Sequence, residues 1–317
     1  MRIPLTLAPP AARAFDVVGL GLNSVDLLAV VAEFPANNSK QRLQRFARLP
    51  GGPTATTLAG CARLGWRTRY LGAFGDDEHG RMARESLVQE GVDVSGARVV
   101  ADARNQFAVI LVDGTSGERT VLWDHDPALD LAPETWADAL TTSGRTLIVD
   151  GYEPAAASRA ARAARAAGLP TAIDIERVRP GVADLLREID IVIAAEEFPS
   201  ELTGHEATGA ALARLAAECR PAVACVTLGR DGSLAICQGR EIRTPAYHLS
   251  CVDTTGAGDA FRAGFLSGWL RDPDGDLEQI LEYANAVAAL NCRALGAQAA
   301  LPRPDEVDRL VGRGAGV

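Results

Sequence analysis

Apolar runs of strand length alternate along the chain with amphipathic segments of helix length. The runs lack polar alternation, which is typical of parallel strands buried on both faces of a sheet. This rhythm predicts an α/β fold with three layers, α/β/α, around a mostly parallel central sheet. The predicted strands are Phe15–Leu22, Thr68–Phe74, Thr146–Asp150, Pro170–Ile175, Ile189–Ala194, Ala222–Leu228 and Ile242–Tyr247. The predicted helices are Thr54–Leu64, His79–Glu90, Pro154–Ala167, Pro180–Arg187, Ala207–Glu218, Ala257–Arg271, Leu277–Cys292 and Pro304–Val311.

Two segments interrupt this rhythm, at about residues 27–50 and 104–123. The first contains strand-like pieces at Leu27–Val31 and Gln41–Arg48, and the second contains Phe107–Trp123, a predicted hairpin that turns at Asp113-Gly114. Such β pieces are suited to cover the carboxyl edge of the sheet, where open α/β folds bind ligands. We therefore predict one domain over residues 1–317 with a small β lid formed by the two segments.

Composition narrows the range of partners. The 317 residues are 47% hydrophobic, enough for a large core, and the formal net charge of −9 offers no basic surface for nucleic acid. Six cysteines without a Cys-x-x-Cys pair indicate reduced thiols, as in a cytoplasmic protein. Prolines interrupt the first residues, which argues against a signal peptide, and no apolar run is long enough for a membrane span. We expect a cytoplasmic protein that acts on a small solute.

The candidate chemistry lies between the last predicted strand and the helix Ala257–Arg271. Gly256, Ala257 and Gly258 stand at the start of this helix, where small side chains leave backbone N–H groups open to bind an anion. Asp259 follows in the first turn. An ordinary glycine-rich turn is the simpler interpretation, but the aspartates on both sides of the glycines, Asp253 and Asp259, argue against it.

The position of Asp259 predicts its role. We expect the helix dipole to favour the ionised carboxylate and so to lower its pKa. A weak base is sufficient for phosphoryl transfer, because the transition state is loose and the attacking hydroxyl becomes acidic late. Asp259 is therefore expected to orient a substrate hydroxyl and accept its proton. The N–H groups of Gly256, Ala257 and Gly258 would stabilise the transferred phosphoryl group.

The run Asp253-Thr254-Thr255-Gly256-Ala257-Gly258-Asp259 resembles the signature of the PfkB family of carbohydrate kinases, and the likeness extends over nearly the whole chain. The resemblance implies a ribokinase-like fold and ATP-dependent phosphorylation of a sugar, with Mg²⁺ and, in some members, K⁺. Within the family the sequence resembles ketohexokinase-like and sulfofructose-kinase-like members, which favours a ketose. The substrate-binding residues implied in this way are Asp26, Gly51, Gly52, Thr56 (where many members have Asn) and Arg119 in the lid segment Gly117-Glu118-Arg119-Thr120.

The resemblance also implies a nucleotide side. The run from Thr227 to Gly232 is similar to a phosphate-binding turn of the family. The implied nucleotide-binding residues are Thr227, Gly229, Gly232, Asn285 and Gly296. The family's Asn-x-x-Glu magnesium element is replaced by Ala195-Glu196-Glu197-Phe198, so Glu196 is the magnesium candidate, through water. Asp253 is the candidate for a monovalent cation.

Three alternatives remain open. A nucleoside kinase on the same fold would need lid aromatics to stack on a base, for which Phe46, Phe107 and Trp123 are candidates. A non-catalytic sugar- or nucleotide-binding relative would have no need for Asp259. A dinucleotide-dependent oxidoreductase would need a third glycine where Ser24 stands. A homodimer through apolar lid strands such as Leu27–Val31 is also expected.

Overall fold

A computed structural model describes residues 1–115 and 119–314. Its strands are β1 (Val17–Leu20), β2 (Ser24–Val31), β3 (Arg45–Gly51), β4 (Thr68–Leu71), β5 (Ala73–Gly75), β6 (Arg98–Val100), β7 (Phe107–Asp113), β8 (Arg119–Asp124), β9 (Thr146–Asp150), β10 (Thr171–Ile175), β11 (Ile191–Ala195), β12 (Val223–Thr227), β13 (Ser233–Cys237) and β14 (Arg240–Thr244). Its helices are α1 (Pro53–Arg63), α2 (Glu78–Gln89), α3 (Asp138–Thr141), α4 (Pro154–Ala166), α5 (Val182–Leu186), α6 (Phe198–Thr203), α7 (Thr208–Cys219), α8 (Ala257–Arg271), α9 (Leu277–Asn291) and α10 (Pro304–Gly314).

The central sheet has the strand order β14-β13-β12-β11-β10-β9-β1-β4. Strands β4, β1, β9, β10, β11 and β12 are parallel, and β13 and β14 are antiparallel additions at one edge. The chain leaves β1 towards β4 on one side and leaves β9 towards β10 on the other, so β1 and β9 flank a switch point in the topology. Ligands bind outside the carboxyl ends of strands at such a point.

Two apolar layers cover the sheet. One core cluster joins it to α1, α2, α8, α9 and α10, and the other joins it to α4, α5, α6 and α7. Successive side chains of a strand point to opposite faces, so Val17 packs in the first cluster and Val18 in the second. The three-layer α/β/α architecture predicted from the sequence is confirmed.

A separate four-stranded sheet, which we call the lid sheet, has the order β3-β2-β7-β8. These strands lie in or next to the two segments predicted as a lid. β2 pairs with both β3 and β7, so it is an interior strand. Leu27–Val31 therefore has no free edge through which to pair with a second subunit, because both of its edges are already hydrogen-bonded; the free edges belong to β3 and β8.

Several predicted boundaries differ from the structure. The predicted strand Thr68–Phe74 is two strands, because the backbone at Gly72 passes against the Tyr70 side chain and the Gly21 carbonyl and leaves the central sheet. Strand β13 was not predicted, and the final strand lies at Arg240–Thr244 rather than Ile242–Tyr247. Gly117 and Glu118 lie outside the described residues. Over the described chain, every helix is too short or too polar to cross a membrane.

Candidate active site

The start of α8 has the geometry of an anion site. Gly256 precedes the helix with a left-handed φ of 74°. The N–H of Ala257 donates to the Thr254 carbonyl at 3.1 Å, so the expected contribution of this N–H group is already used within the turn. The N–H groups of Gly256, Gly258 and Asp259 have no acceptor in the described part of the chain. Three donors therefore remain at the positive end of the helix.

Asp253 holds this loop in place. Its Oδ1 accepts hydrogen bonds from the Thr255 N–H at 2.9 Å and from Thr255 Oγ1 at 2.8 Å, and its Oδ2 accepts one from the Gly296 N–H at 2.8 Å. The side chain is buried. Three donors leave this carboxylate little capacity for a cation, so a direct K⁺ ligand fits poorly here. Gly296 likewise supports the loop through its N–H.

The carboxylate of Asp259 is largely buried, with 13% of its side chain exposed. Its surroundings contradict the low pKa expected from the helix dipole. Burial raises the pKa of Asp259 well above its usual range, the neighbouring Asp174 carboxylate raises it further, and the Arg262 guanidinium lowers it. Tertiary burial thus outweighs the dipole of the first turn, and Asp259 is a stronger base than the sequence indicated.

Asp26 lies on β2 of the lid sheet and is 5% exposed. Burial raises the pKa of Asp26 to about 6; a hydrogen bond from Ser24 Oγ at 3.0 Å opposes the shift, and the charge of Asp253 adds to it. A Cβ on Gly51 would lie 2.3 Å from Asp26 Oδ2, so only glycine permits this approach. Asp26 and the Gly51 turn thus lie together, close to the loop before α8.

The other predicted substrate residues differ in their surroundings. Gly52 precedes α1 with a φ of 92°. Thr56 is fully buried, and its hydroxyl accepts a hydrogen bond from Gln298 Nε2 at 3.2 Å, so it presents no surface to a ligand in this structure. The Arg119 guanidinium on β8 donates to Thr254 Oγ1, which joins the lid sheet to the loop before α8.

A cavity of about 540 Å³ lies beside the start of α8. Its lining includes Thr254, Ala257, Gly229 and Asn285, and most of the lining is apolar. The Asn285 amide donates to Thr244 Oγ1 at 3.0 Å and Ser233 Oγ at 3.2 Å, so it also joins α9 to the sheet. The size suits a small organic ligand.

Thr227 and Gly232 do not line this cavity. Thr227 ends β12, and the Leu228 N–H donates to the Gly232 carbonyl at 2.8 Å, which closes the turn that presents Gly229 to the cavity. These two residues shape the cavity wall indirectly.

Glu196 is exposed immediately after β11, at the same sheet edge as Asp259. In residues 1–115 and 119–314, the only three His, Cys, Asp or Glu side chains close enough to share a metal are His125, Asp130 and Glu153. No cage of carboxylates therefore surrounds Glu196 in that part of the chain. Magnesium in phosphoryl-transfer sites is commonly held by one or two carboxylates plus phosphates and water, so a single Glu196 is compatible with it.

Asp150, Asp174 and Arg262 adjoin the candidate site but were not among the predicted site residues. Asp150 ends β9 at the switch point, where its Oδ2 accepts from the Leu22 N–H at 2.6 Å and Thr54 Oγ1 at 2.9 Å. Burial raises its pKa. Asp150 and Asp174 could have been found from the sequence, because each lies at or near the end of an apolar strand run, where ligand-binding residues of an α/β fold are expected. No local signal identifies Arg262, which lies inside a helix.

Comparison with known proteins agrees with this geometry. Residues 14–304 match the profile of the pfkB family carbohydrate kinases. An ATP-dependent ribose-1-phosphate kinase of Halopiger xanaduensis is 30% identical, covering 92% of this chain and 96% of that one. A fructokinase of Klebsiella pneumoniae is 32% identical, covering 84% and 92%. The structure of Arabidopsis thaliana ribokinase complexed with ribose and ATP superposes with a TM-score of 0.79 at 25% identity, covering 94% and 99%. The chain belongs to the pfkB family of carbohydrate kinases.

Proposed function

We propose that this kinase transfers the γ-phosphoryl group of ATP to a hydroxyl of a small sugar, and that Asp259 accepts the hydroxyl proton. The observation that carries the proposal is the position of Asp259: its carboxylate and the free N–H groups of Gly256 and Gly258 lie in one helical turn, beside both the 540 Å³ cavity and the loop near Asp26. In the step, the sugar oxygen bonds to the γ-phosphorus while the bond to the β,γ-bridging oxygen breaks. The electron pair leaves with ADP.

The 540 Å³ cavity is the proposed nucleotide site. Its apolar lining suits a base, and because Thr254 and Ala257 are among its lining residues, phosphates bound beside them would lie next to the N–H groups of α8. The Arabidopsis ribokinase of similar fold is complexed with ribose and ATP, which supports ATP as the nucleotide. Glu196 is the proposed protein ligand of Mg²⁺, directly or through water; when bound, Mg²⁺ neutralises charge on the phosphates.

Asp259→Asn tests the catalytic assignment. The amide keeps the shape of the side chain but cannot accept the proton, so turnover should fall by about 10²-fold to 10⁴-fold. The dissociation constant for ATP, measured by calorimetry, should change little because the N–H groups remain. A variant that turns over at the wild-type rate would refute the assignment of Asp259 as the base.

We propose a ketose as the sugar, supported by the fructokinase relative. Measuring ADP release over a panel of ketoses, aldoses, sugar phosphates, sulfonated sugars and nucleosides tests this proposal. Because one relative is a ribose-1-phosphate kinase, sugar phosphates are the main alternative class of substrate. Activity confined to aldose phosphates would overturn the proposal that the substrate is a ketose.

A nucleoside acceptor is the second candidate, and one lid aromatic favours it. In the sheet register Trp123 lies opposite Ala108, which lies opposite Asp26, so Trp123 shares the Asp26 face. Phe46 and Phe107 pair with Ala29 and Val25, which lie on the other face. Only Trp123 of the three is thus placed to stack on a base. If nucleosides are substrates, Trp123→Ala should raise their KM at least tenfold, with a smaller effect on sugars.

We further propose a homodimer through the outer face of the lid sheet, the face opposite Asp26. Phe46 and Leu122 lie on this face, 60% and 59% exposed, and flank the half-buried Val109 and Leu111. Exposed apolar patches of this kind mark protein interfaces. Sedimentation velocity should show a dimer that Phe46→Asp/Leu122→Asp converts to monomer; a wild-type monomer at micromolar concentration would contradict the proposal.

A cytoplasmic location is supported by the six free cysteines and by the proposed use of ATP. A potassium requirement is a separate proposal, since Asp253 is an unsuitable direct ligand. Rates measured in K⁺ and in Na⁺ at equal ionic strength test it; equal rates would exclude it.

A further inference from the structure

Three charged side chains meet behind the start of α8. The Arg262 Nη2 lies 2.5 Å from Asp174 Oδ1, and the Arg262 Nη1 lies 3.7 Å from Asp259 Oδ1. Arg262 and Asp174 each have only 2% of the side chain exposed. Arg262 follows Asp259 by one helical turn, whereas Asp174 comes from β10. Two elements distant in sequence therefore place a cation and a second carboxylate against the proposed base.

The backbone makes room for this arrangement. A Cβ on Gly258 would lie 2.5 Å from Arg262 Nη1, so the guanidinium lies directly against the glycine of the anion site. Its Nη2 also donates to the Ile193 carbonyl at 3.4 Å, but its Nε has no partner within the described residues. The Asp174 oxygens, though close to Arg262, form no well-aligned hydrogen bond with any described residue. Arg262 therefore contacts both carboxylates as ion pairs.

We propose that Arg262 and Asp174 are positioning residues that set the charge and direction of the Asp259 carboxylate, so that the proton acceptor is a carboxylate pair balanced by one buried guanidinium. This inference rests on the proposed role of Asp259. It extends that role, because a lone carboxylate at a helix N-terminus would need neither partner.

The neighbouring charges around Asp174 and Asp259 are mostly negative, with Arg262 as the opposing positive charge. Burial raises the pKa of both Asp174 and Asp259, and Arg262 lowers the pKa of both. Glu176, the residue after β10, raises the pKa of both carboxyl groups. Asp150 on β9 also raises the pKa of Asp174. Arg262 is the one cation among the named contributors to either shift. Two adjacent carboxylates that repel each other bind one proton more tightly than either does alone.

Opposite shifts of the pH profile test the proposal. Arg262→Gln removes the cation, so the acidic limb of kcat/KM should move to higher pH by about one to three units. Asp174→Asn removes the repelling charge, so the same limb should move to lower pH. Arg262→Lys keeps the cation and should restore most of the wild-type profile. Arg271→Gln is the matched control: it breaks an Arg–Asp pair at the other end of the same helix, where Arg271 Nη1 lies 2.6 Å from Asp308 Oδ1, and should leave the profile unchanged.

The outcomes separate this proposal from that of the base itself. If Asp259→Asn is inactive but Arg262→Gln and Asp174→Asn keep the wild-type acidic limb, the positioning role is wrong and the base assignment stands. If Asp259→Asn retains turnover, both fail. A purely structural role predicts lower melting temperatures and lower rates without opposite pH shifts. If Arg262→Gln does not fold, the downward shift in Asp174→Asn decides, since that change leaves Arg262 with the Asp259 carboxylate as its remaining charge partner.

Discussion

The guanidinium of Arg119, on the lid strand β8, donates to Thr254 Oγ1 in the loop that leads into α8. The lid sheet and the anion site are thereby joined by side chains that are both exposed. Asp26, the proposed sugar-binding residue, lies on another strand of the same sheet. A lid sheet joined to the loop before α8 is suited to couple closure over a substrate to the arrangement of the N–H groups of α8.

Replacing Arg119 should weaken this coupling. Because Arg119 is exposed, Arg119→Ala should leave the free energy of unfolding within about 0.5 kcal/mol of wild type. It should lower kcat/KM for the sugar roughly tenfold, since a hydrogen bond from a charged donor is lost. Thr254→Val removes the acceptor, and the double variant should be no worse than Arg119→Ala alone. Arg45→Ala, an exposed arginine on β3 with no described partner, is the control; additive losses in the double variant would show that the contact is not used in catalysis.

Asp26 should reduce stability at neutral pH. Its folded pKa of about 6 lies above the value of about 3.9 expected when unfolded. The folded state therefore holds the proton more tightly, and stability falls as pH rises from about 4 to about 6. Asp26→Asn should gain up to about 3 kcal/mol at pH 7.5 and little at pH 4, as measured by urea unfolding. The same variant should raise the sugar KM, because the site loses an acceptor.

A matched control for this experiment is Asp272→Asn, at an exposed position after α8. It should change stability equally at both pH values. An equal gain for Asp26→Asn at pH 4 and pH 7.5 would show that the Asp26 carboxylate is not destabilised by burial.

The sequence predicted α8 as Ala257–Arg271, the bounds that the structure has, because glycines open the helix and apolar residues continue it. The prediction of a low pKa for Asp259 was wrong because residues outside this helix raise that pKa. The helix dipole is a property of the local chain, whereas burial against Asp174 depends on where β10 lies in the sheet. The partnership of Arg262 with Asp174 could not be inferred for the same reason. Gly72 shows a similar limit: its place within the strand-like run Thr68–Phe74 does not reveal that a Cβ there would lie 2.6 Å from the Gly21 carbonyl oxygen, at the point where the strand divides.

Cys251 offers a direct test of the nucleotide cavity. It is exposed and lines the cavity, and the neighbouring Cys292 is partly buried, with burial raising the pKa of its thiol to about 12. N-Ethylmaleimide should therefore label Cys251 first. ATP at ten times its dissociation constant should slow labelling about tenfold, since only the free protein reacts. Cys251→Ser should abolish the protected signal; labelling of Cys251 at an unchanged rate in ATP would place the nucleotide elsewhere.

Gly256 should tolerate no side chain. Its φ of 74° already disfavours other residues, and a Cβ would lie 2.7 Å from backbone atoms of Ala297. Gly168→Ala is the matched control, because Gly168 has a φ of 73° but open space around its Cβ position. Gly168→Ala should cost about 1 to 2 kcal/mol of stability, the strain of the left-handed conformation alone, with turnover unchanged. Gly256→Ala should cost more and should lower kcat by about 10²-fold or more, because the N–H groups of α8 move away from the phosphoryl group. Equal stability losses and unchanged turnover in both variants would mean that the contact between Gly256 and Ala297 does not hold the anion site in place.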